Sequence, residues 1–192
     1  MAYLIDRIQQ QLNKTGLQPR SEAARTWLRK KASDLSPSRA SLLSDKDRQV
    51  TRPFIGHMYF YFYDPKTKDY MKYYDKFPLV IPIEMYHDGF LGLNLHYLHP
   101  KQRIILLDKL AEYATDKRFD IRTRLRLSYD LLRRASQAFE ATPCIKRYLF
   151  SHVQSRMVEI FADEWDIAAL LPAENFVGAS TSKVWSDSRK KF

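Results

Sequence analysis

The chain has 192 residues, 45% of them hydrophobic and 28% charged, which suits one substantial folded domain or a domain with an arm. Lysine and arginine number 32 against 22 acidic residues, a formal net charge of +10 that points to a polyanionic partner or an acidic neighbouring subunit. No apolar run approaches the ~20 residues that span a bilayer, the N-terminal MAYLIDRIQQQL lacks a signal peptide's apolar stretch, and the single cysteine, Cys144, allows neither an internal disulfide nor a CxxC zinc pattern. A membrane partner is therefore not expected, and a cytoplasmic or virion protein fits better than a secreted one.

Leu4, Ile5, Ile8 and Leu12 recur at spacings of three and four and predict a helix over 3–13, ended by Gly16 and Pro19. Ser21 is placed to cap a second helix over 22–33 that buries Ala24, Trp27 and Leu28. Its other faces carry Arg25, Arg29, Lys30 and Lys31, candidate contacts for nucleic acid or a partner. Residues 34–52 are rich in Ser, Asp and Arg and read as an extended connector. Two short helices bury too little surface to fold alone, so residues 1–52 form an arm expected to dock on the core or on a partner.

The core, 53–172, begins with strands. Met58, Phe60 and Phe62 alternate with Tyr59, Tyr61 and Tyr63, the period of a strand with both faces occupied. DPKTKD at 64–69 predicts a hairpin connection, with Tyr70–Tyr74 returning antiparallel. Phe77–Ile83 is apolar, but Pro78 and Pro82 demote it to an edge strand or one with a bulge. After a turn at 87–89, Phe90–Tyr97 forms another strand. Pro100 opens a helix to about Ala114 with Ile104, Leu107 and Leu110 on its apolar face. Further helices are expected over 121–139 and roughly 144–153, then strands around Val158–Ala162 and Trp165–Leu171, and a basic tail over 173–192. The order predicts an α+β fold: a small bent antiparallel sheet or partial β-barrel with an inserted helical subdomain and an N-terminal helical arm.

Arg122, Arg126 and Arg133 fall within about 40° of one another on the 121–139 helix. Such a stripe can hold phosphates, or it can be a solvated face pairing with carboxylates. Arg189, Lys190 and Lys191 give the tail the same potential. Tyr59, Tyr61, Tyr63 and Tyr73 could stack on unpaired bases or pack against helices and partners. His96 and His99 in HYLHP could bind a metal only if their rings converged with a carboxylate. Asp163, Glu164 and Asp166 read as a turn or as a salt-bridge site for the arginines. No Walker, dinucleotide-binding or nucleophile-elbow pattern occurs, so no catalytic residue, cofactor or metal site is assigned.

Three stretches carry a resemblance: MYFYFYDPKTKDYMKYYDKFPLVIPIE at 58–84, DGFLGLNLHYLHPKQRIILLDKL at 88–110 and EWDIAALLPAENFVGASTSKVWSDSRKKF at 164–192. Together they resemble a family of small virion proteins of T4-like tailed bacteriophages (myoviruses), which includes proteins labelled DNA end protector. The resemblance implies a virion setting, with host cytoplasm during assembly, other virion proteins as partners and a multi-subunit assembly. For an end protector it also implies binding to the ends of packaged DNA against host exonuclease. No motif for that activity matches residue by residue, so none is carried over. The expected function is a non-enzymatic assembly adaptor in the neck, tail or baseplate, with DNA end protection as the alternative.

Overall fold

The computed structural model describes residues 3–35, 37–115 and 144–189, with the backbone alone over 110–115. The first two helices follow the sequence pattern: α1 spans Leu4–Lys14 and α2 spans Glu22–Ser33. Ser21 caps α2, its hydroxyl accepting from the Ala24 N–H at 3.1 Å. A short α3, Arg39–Leu42, lies within the connector. Ile5, Ile8, Leu12, Ala24 and Leu28 are buried in the same hydrophobic core as Met58, Phe60, Leu79 and Ile81. The two N-terminal helices therefore roof the sheet.

Eight strands follow: β1 Gln49–Val50, β2 Met58–Phe60, β3 Tyr74–Asp75, β4 Leu79–Tyr86, β5 Gly89–Asn94, β6 Ile145–Leu149, β7 Met157–Ile160 and β8 Phe176–Val177. Six form one antiparallel sheet in the order β1-β7-β2-β4-β5-β6, and β3 pairs with β8 in a second, two-stranded one. Helix α4, Pro100–Thr115, packs with α5, Trp165–Leu170, and α6, Thr181–Arg189, closes the described chain. This is a mixed α+β fold around an open, mostly antiparallel sheet. Among the described residues no helix is long and apolar enough to cross a membrane.

Three expectations are corrected, and one that stood as two alternatives is decided. The segment expected to return beside 58–63 pairs instead with the C-terminal Phe176–Val177, while β2 lies between β4 and β7. Of the two alternatives for the proline-containing strand the bulged one holds: the strand is internal, between β2 and β5, β2 pairs only with Leu79 and Val80, and a bulge between Pro82 and Glu84 absorbs the irregular backbone. Residues 145–149 form a strand along β5, covering an edge that would otherwise be open. Trp165–Leu170 is helical, with Asp166, Ile167, Ala168 and Ala169 buried in succession; a short apolar run cannot be assigned by periodicity alone. The 121–139 helix lies outside the described residues.

Alternation on β2 creates two cores. Met58 and Phe60 face the helices, whereas Tyr59 and Tyr61 face away with Tyr63, Val80, Phe90, Tyr148 and Met157 in a second apolar cluster. The rings there meet largely edge to face: Tyr61–Tyr148 at 5.6 Å and Tyr63–Tyr148 at 4.9 Å between centroids. The Tyr63 hydroxyl accepts from the Leu149 N–H at 3.1 Å, tying the chain beyond β2 to the end of β6.

Candidate nucleic-acid interface

Helix α2 divides its cations between interior and surface. Arg25 turns inward: its Nε donates to Asp166 Oδ2 at 2.8 Å and its two Nη groups donate to Asp108, joining α2 to α4 and α5. The Asp108 hydrogen bonds push its pKa up and outweigh the opposing effect of burial. Arg25 therefore holds helices together and is not placed to meet phosphate. Arg29 and Lys30 are exposed and Lys31 is half-buried. Arg29 donates to Glu22 Oε1 at 2.7 Å.

The hydrogen bond and charge of Arg29, with the charges of Arg25 and Lys101, hold the Glu22 carboxyl below its usual range. Lys101 in the first turn of α4 is thus within electrostatic reach of α2. His99, just before α4, is lowered by burial and then by Arg189, Arg103 and Lys101. Three exposed cations from three helices, Arg29, Lys101 and Arg189, therefore gather around the start of α4, where the helix N-terminus adds partial positive charge. Beside them runs an open groove of about 610 Å³ lined by Arg29, Ser33, Arg39, Pro37 and Pro100. Arg39 is anchored there, its Nε donating to the Ala173 carbonyl at 3.2 Å.

A second concavity, about 230 Å³, opens between β3, β6 and the turn after β5. Tyr63, Tyr74, Tyr97 and Tyr148 line it with Lys66 and Lys146, and Lys146 Nζ sits 4.8 Å from the Tyr97 ring centroid. Asp75 and Asn94 form its inner end. Asp75 is saturated: Oδ1 accepts from the Phe77 and Asn175 N–H groups, and Oδ2 accepts from His96 Nδ1 at 2.8 Å and Asn94 Nδ2 at 3.2 Å. Burial pushes its pKa up, but the interaction with His96 and these hydrogen bonds hold it below the ordinary carboxylate value.

Tyr59, Tyr61 and Tyr63 are buried, so they form no open stacking face on β2; alternate residues of an internal strand are both covered here. Tyr73 is half-buried, its ring 6.1 Å from Tyr97. Arg122, Arg126, Arg133, Lys190 and Lys191 lie outside the described residues. His96 and His99 do not converge: His96 faces Asp75 and His99 meets Trp185 edge-on at 5.2 Å. In the acidic cluster Glu164 pairs with Arg48 and Asp166 with Arg25. Among the described residues no group of His, Cys, Asp and Glu is placed to hold a metal ion.

Sequence reasoning missed Lys101 and the aromatic pocket. Lys101 follows the HYLHP segment directly, but its relation to Arg29 and Arg189 needs the packing of three helices. The pocket residues come from four segments between Tyr63 and Tyr148, brought together by a strand order that the sequence pattern does not carry.

An α+β chain with clustered surface cations and a basic aromatic pocket has the chemistry of a nucleic-acid-associated protein. A family model described as phage T4 terminal DNA protecting protein matches residues 8–189, and the chain belongs to that family. No curated protein and no solved structure matches it.

Proposed function

We propose that the chain binds the ends of a packaged phage genome and shields them from nuclease. The family match over nearly the whole chain carries this reading. The net charge of +10 supports it, since phosphate contacts supply most sequence-independent affinity for DNA. So does the gathering of Arg29, Lys101 and Arg189 at the start of α4, beside a groove. The reading of an assembly adaptor in the neck, tail or baseplate, first in order from the sequence, now ranks second, because the family's description concerns DNA. A virion location, packaged with the genome, follows from the same proposal.

Purified protein mixed with linear duplex DNA should retard it at about 50 mM salt and slow a processive exonuclease there. Both effects should fall by orders of magnitude at about 200 mM if six or more phosphates are contacted. Absence of binding at the lower salt would sink the proposal. Binding without protection of the ends would sink the protective role and leave a general DNA-binding protein.

A further inference from the structure

We propose that the tyrosine-lined cavity between β3, β6 and the turn after β5 takes one unpaired nucleotide at a DNA terminus, an assignment that rests on the end-protection reading. Its volume of about 230 Å³ lies below the ~300–1,000 Å³ of pockets for drug-sized ligands, a size for a single base and not a base pair. Of the four tyrosines around it, Tyr74 is the half-exposed ring open to a ligand, and Tyr63, Tyr97 and Tyr148 are buried behind it as a rigid aromatic floor. Aromatic rings stack on any base, because every base has a π-face. Lys66 stands exposed at the rim and Lys146 caps the Tyr97 ring, so two ammonium groups stand beside Tyr74 where the phosphate of a bound nucleotide would run.

The inner end of the cavity adds a further constraint. Asp75 is fully hydrogen-bonded, and Asn94 donates to it while accepting from the His96 N–H at 3.0 Å. These groups have little capacity left for a base edge, so stacking and charge should dominate and the identity of the base should matter little. Burial pushes the Tyr97 and Tyr148 hydroxyls well above their ordinary pKa, so both stay neutral and set no negative charge against a phosphate.

The cavity and the cation cluster lie on either side of one C-terminal segment. Phe176 packs edge-on to Tyr97 at 5.0 Å, Asp187 of α6 accepts from Lys72 at 3.0 Å, and Trp185 of the same helix meets His99. In this proposal the duplex rests on Arg29, Lys101 and Arg189 and its terminal nucleotide enters the cavity across that segment.

The test uses the full chain and three probes carrying 2-aminopurine: a duplex with a one-nucleotide 2-aminopurine overhang, the same duplex closed by hairpins at both ends, and the free deoxynucleoside monophosphate. The overhang duplex should bind about tenfold more tightly than the closed one, with a change in 2-aminopurine fluorescence and little dependence on the terminal base. Lys66→Ala and Tyr74→Ala should reduce that preference to twofold or less while retaining affinity for the closed duplex. Lys66→Ala is exposed and decides the matter if Tyr74→Ala melts early. Equal affinity for open and closed ends, or unchanged preference in Lys66→Ala, would overturn the pocket while leaving general DNA binding intact. Free nucleotide competing as well as the overhang would reassign the cavity to mononucleotides and overturn the terminal assignment. Failure to bind any duplex would overturn both this inference and the end-protection reading.

Discussion

Asp75 accepts four hydrogen bonds from three parts of the chain: its own strand end at Phe77, the end of β5 and the turn after it through Asn94 and His96, and the C-terminal segment at Asn175. Removing the carboxylate leaves buried donors without an acceptor, the situation in which breaking a buried pair is most costly. Asp75→Ala should lower stability by ~3–5 kcal/mol, measured by urea denaturation. The pH dependence has a definite sign. A carboxyl whose folded pKa lies below its unfolded value of about 3.9 contributes stability that is complete above that pH. The contribution is lost as pH falls through the folded value. Denaturation midpoints of the native chain should therefore drop more steeply below about pH 4 than those of Asp75→Asn; identical slopes would show that Asp75 does not carry the effect. Arg25 shows how little spacing alone says about such a role. It lies four residues before the exposed Arg29, nearly on the same helical face, yet Asp108 and Asp166 draw it inside.

At the scale of elements, β6 couples the fold to the pocket, because it supplies Lys146 and Tyr148 while pairing along the whole of β5. Gly89 permits that approach: a Cβ there would sit 1.9 Å from the Tyr148 carbonyl oxygen, a backbone atom with no flexible end to swing away. Gly89→Ala should cost at least ~1–3 kcal/mol and loosen the β5–β6 pairing, seen as a lowered melting temperature with faster amide exchange in 145–149. A melt indistinguishable from the native chain would contradict this packing. The elements that were legible in the sequence share one property, a repeated pattern over ten or more residues: α1, α2 and α4 each present regular apolar faces. β2 was legible because Met58 and five alternating aromatics over 59–63 left no other period. Residues 145–149 and 165–170 are too short for a period to decide, and their state is set by what they pack on: the β5 edge for one, and for the other the facing helices, with Asp166 paired to Arg25 and Ile167, Ala168 and Ala169 buried. The candidate site was legible only as surface charge on α2 and at Arg189. The tyrosines carried the right chemistry, but which of them line a cavity depends on strand order, and three assigned to a single strand face are mostly core.

For the whole molecule, the question is whether the +10 charge acts diffusely or through a defined patch. A diffuse field would make every exposed lysine nearly equivalent. A patch concentrates counterion release on a few side chains, and log K then falls with log salt by about 0.9 for each phosphate neutralised. Arg29, Lys101 and Arg189 are exposed on three helices that converge at the start of α4. Replacing all three by alanine should lower DNA affinity at about 50 mM salt at least tenfold and reduce the salt slope by up to ~2.7, with little change in melting temperature. Arg25→Ala serves as the contrast: it leaves two carboxylates buried or half-buried without their cation and should cost ~3–5 kcal/mol of stability. Its folded fraction should retain the native salt slope, because its charge is already neutralised within the fold. Should a triple substitution of exposed cations away from α4, such as Lys14, Lys46 and Arg156, reduce the slope equally, the charge acts diffusely and the patch is not the interface.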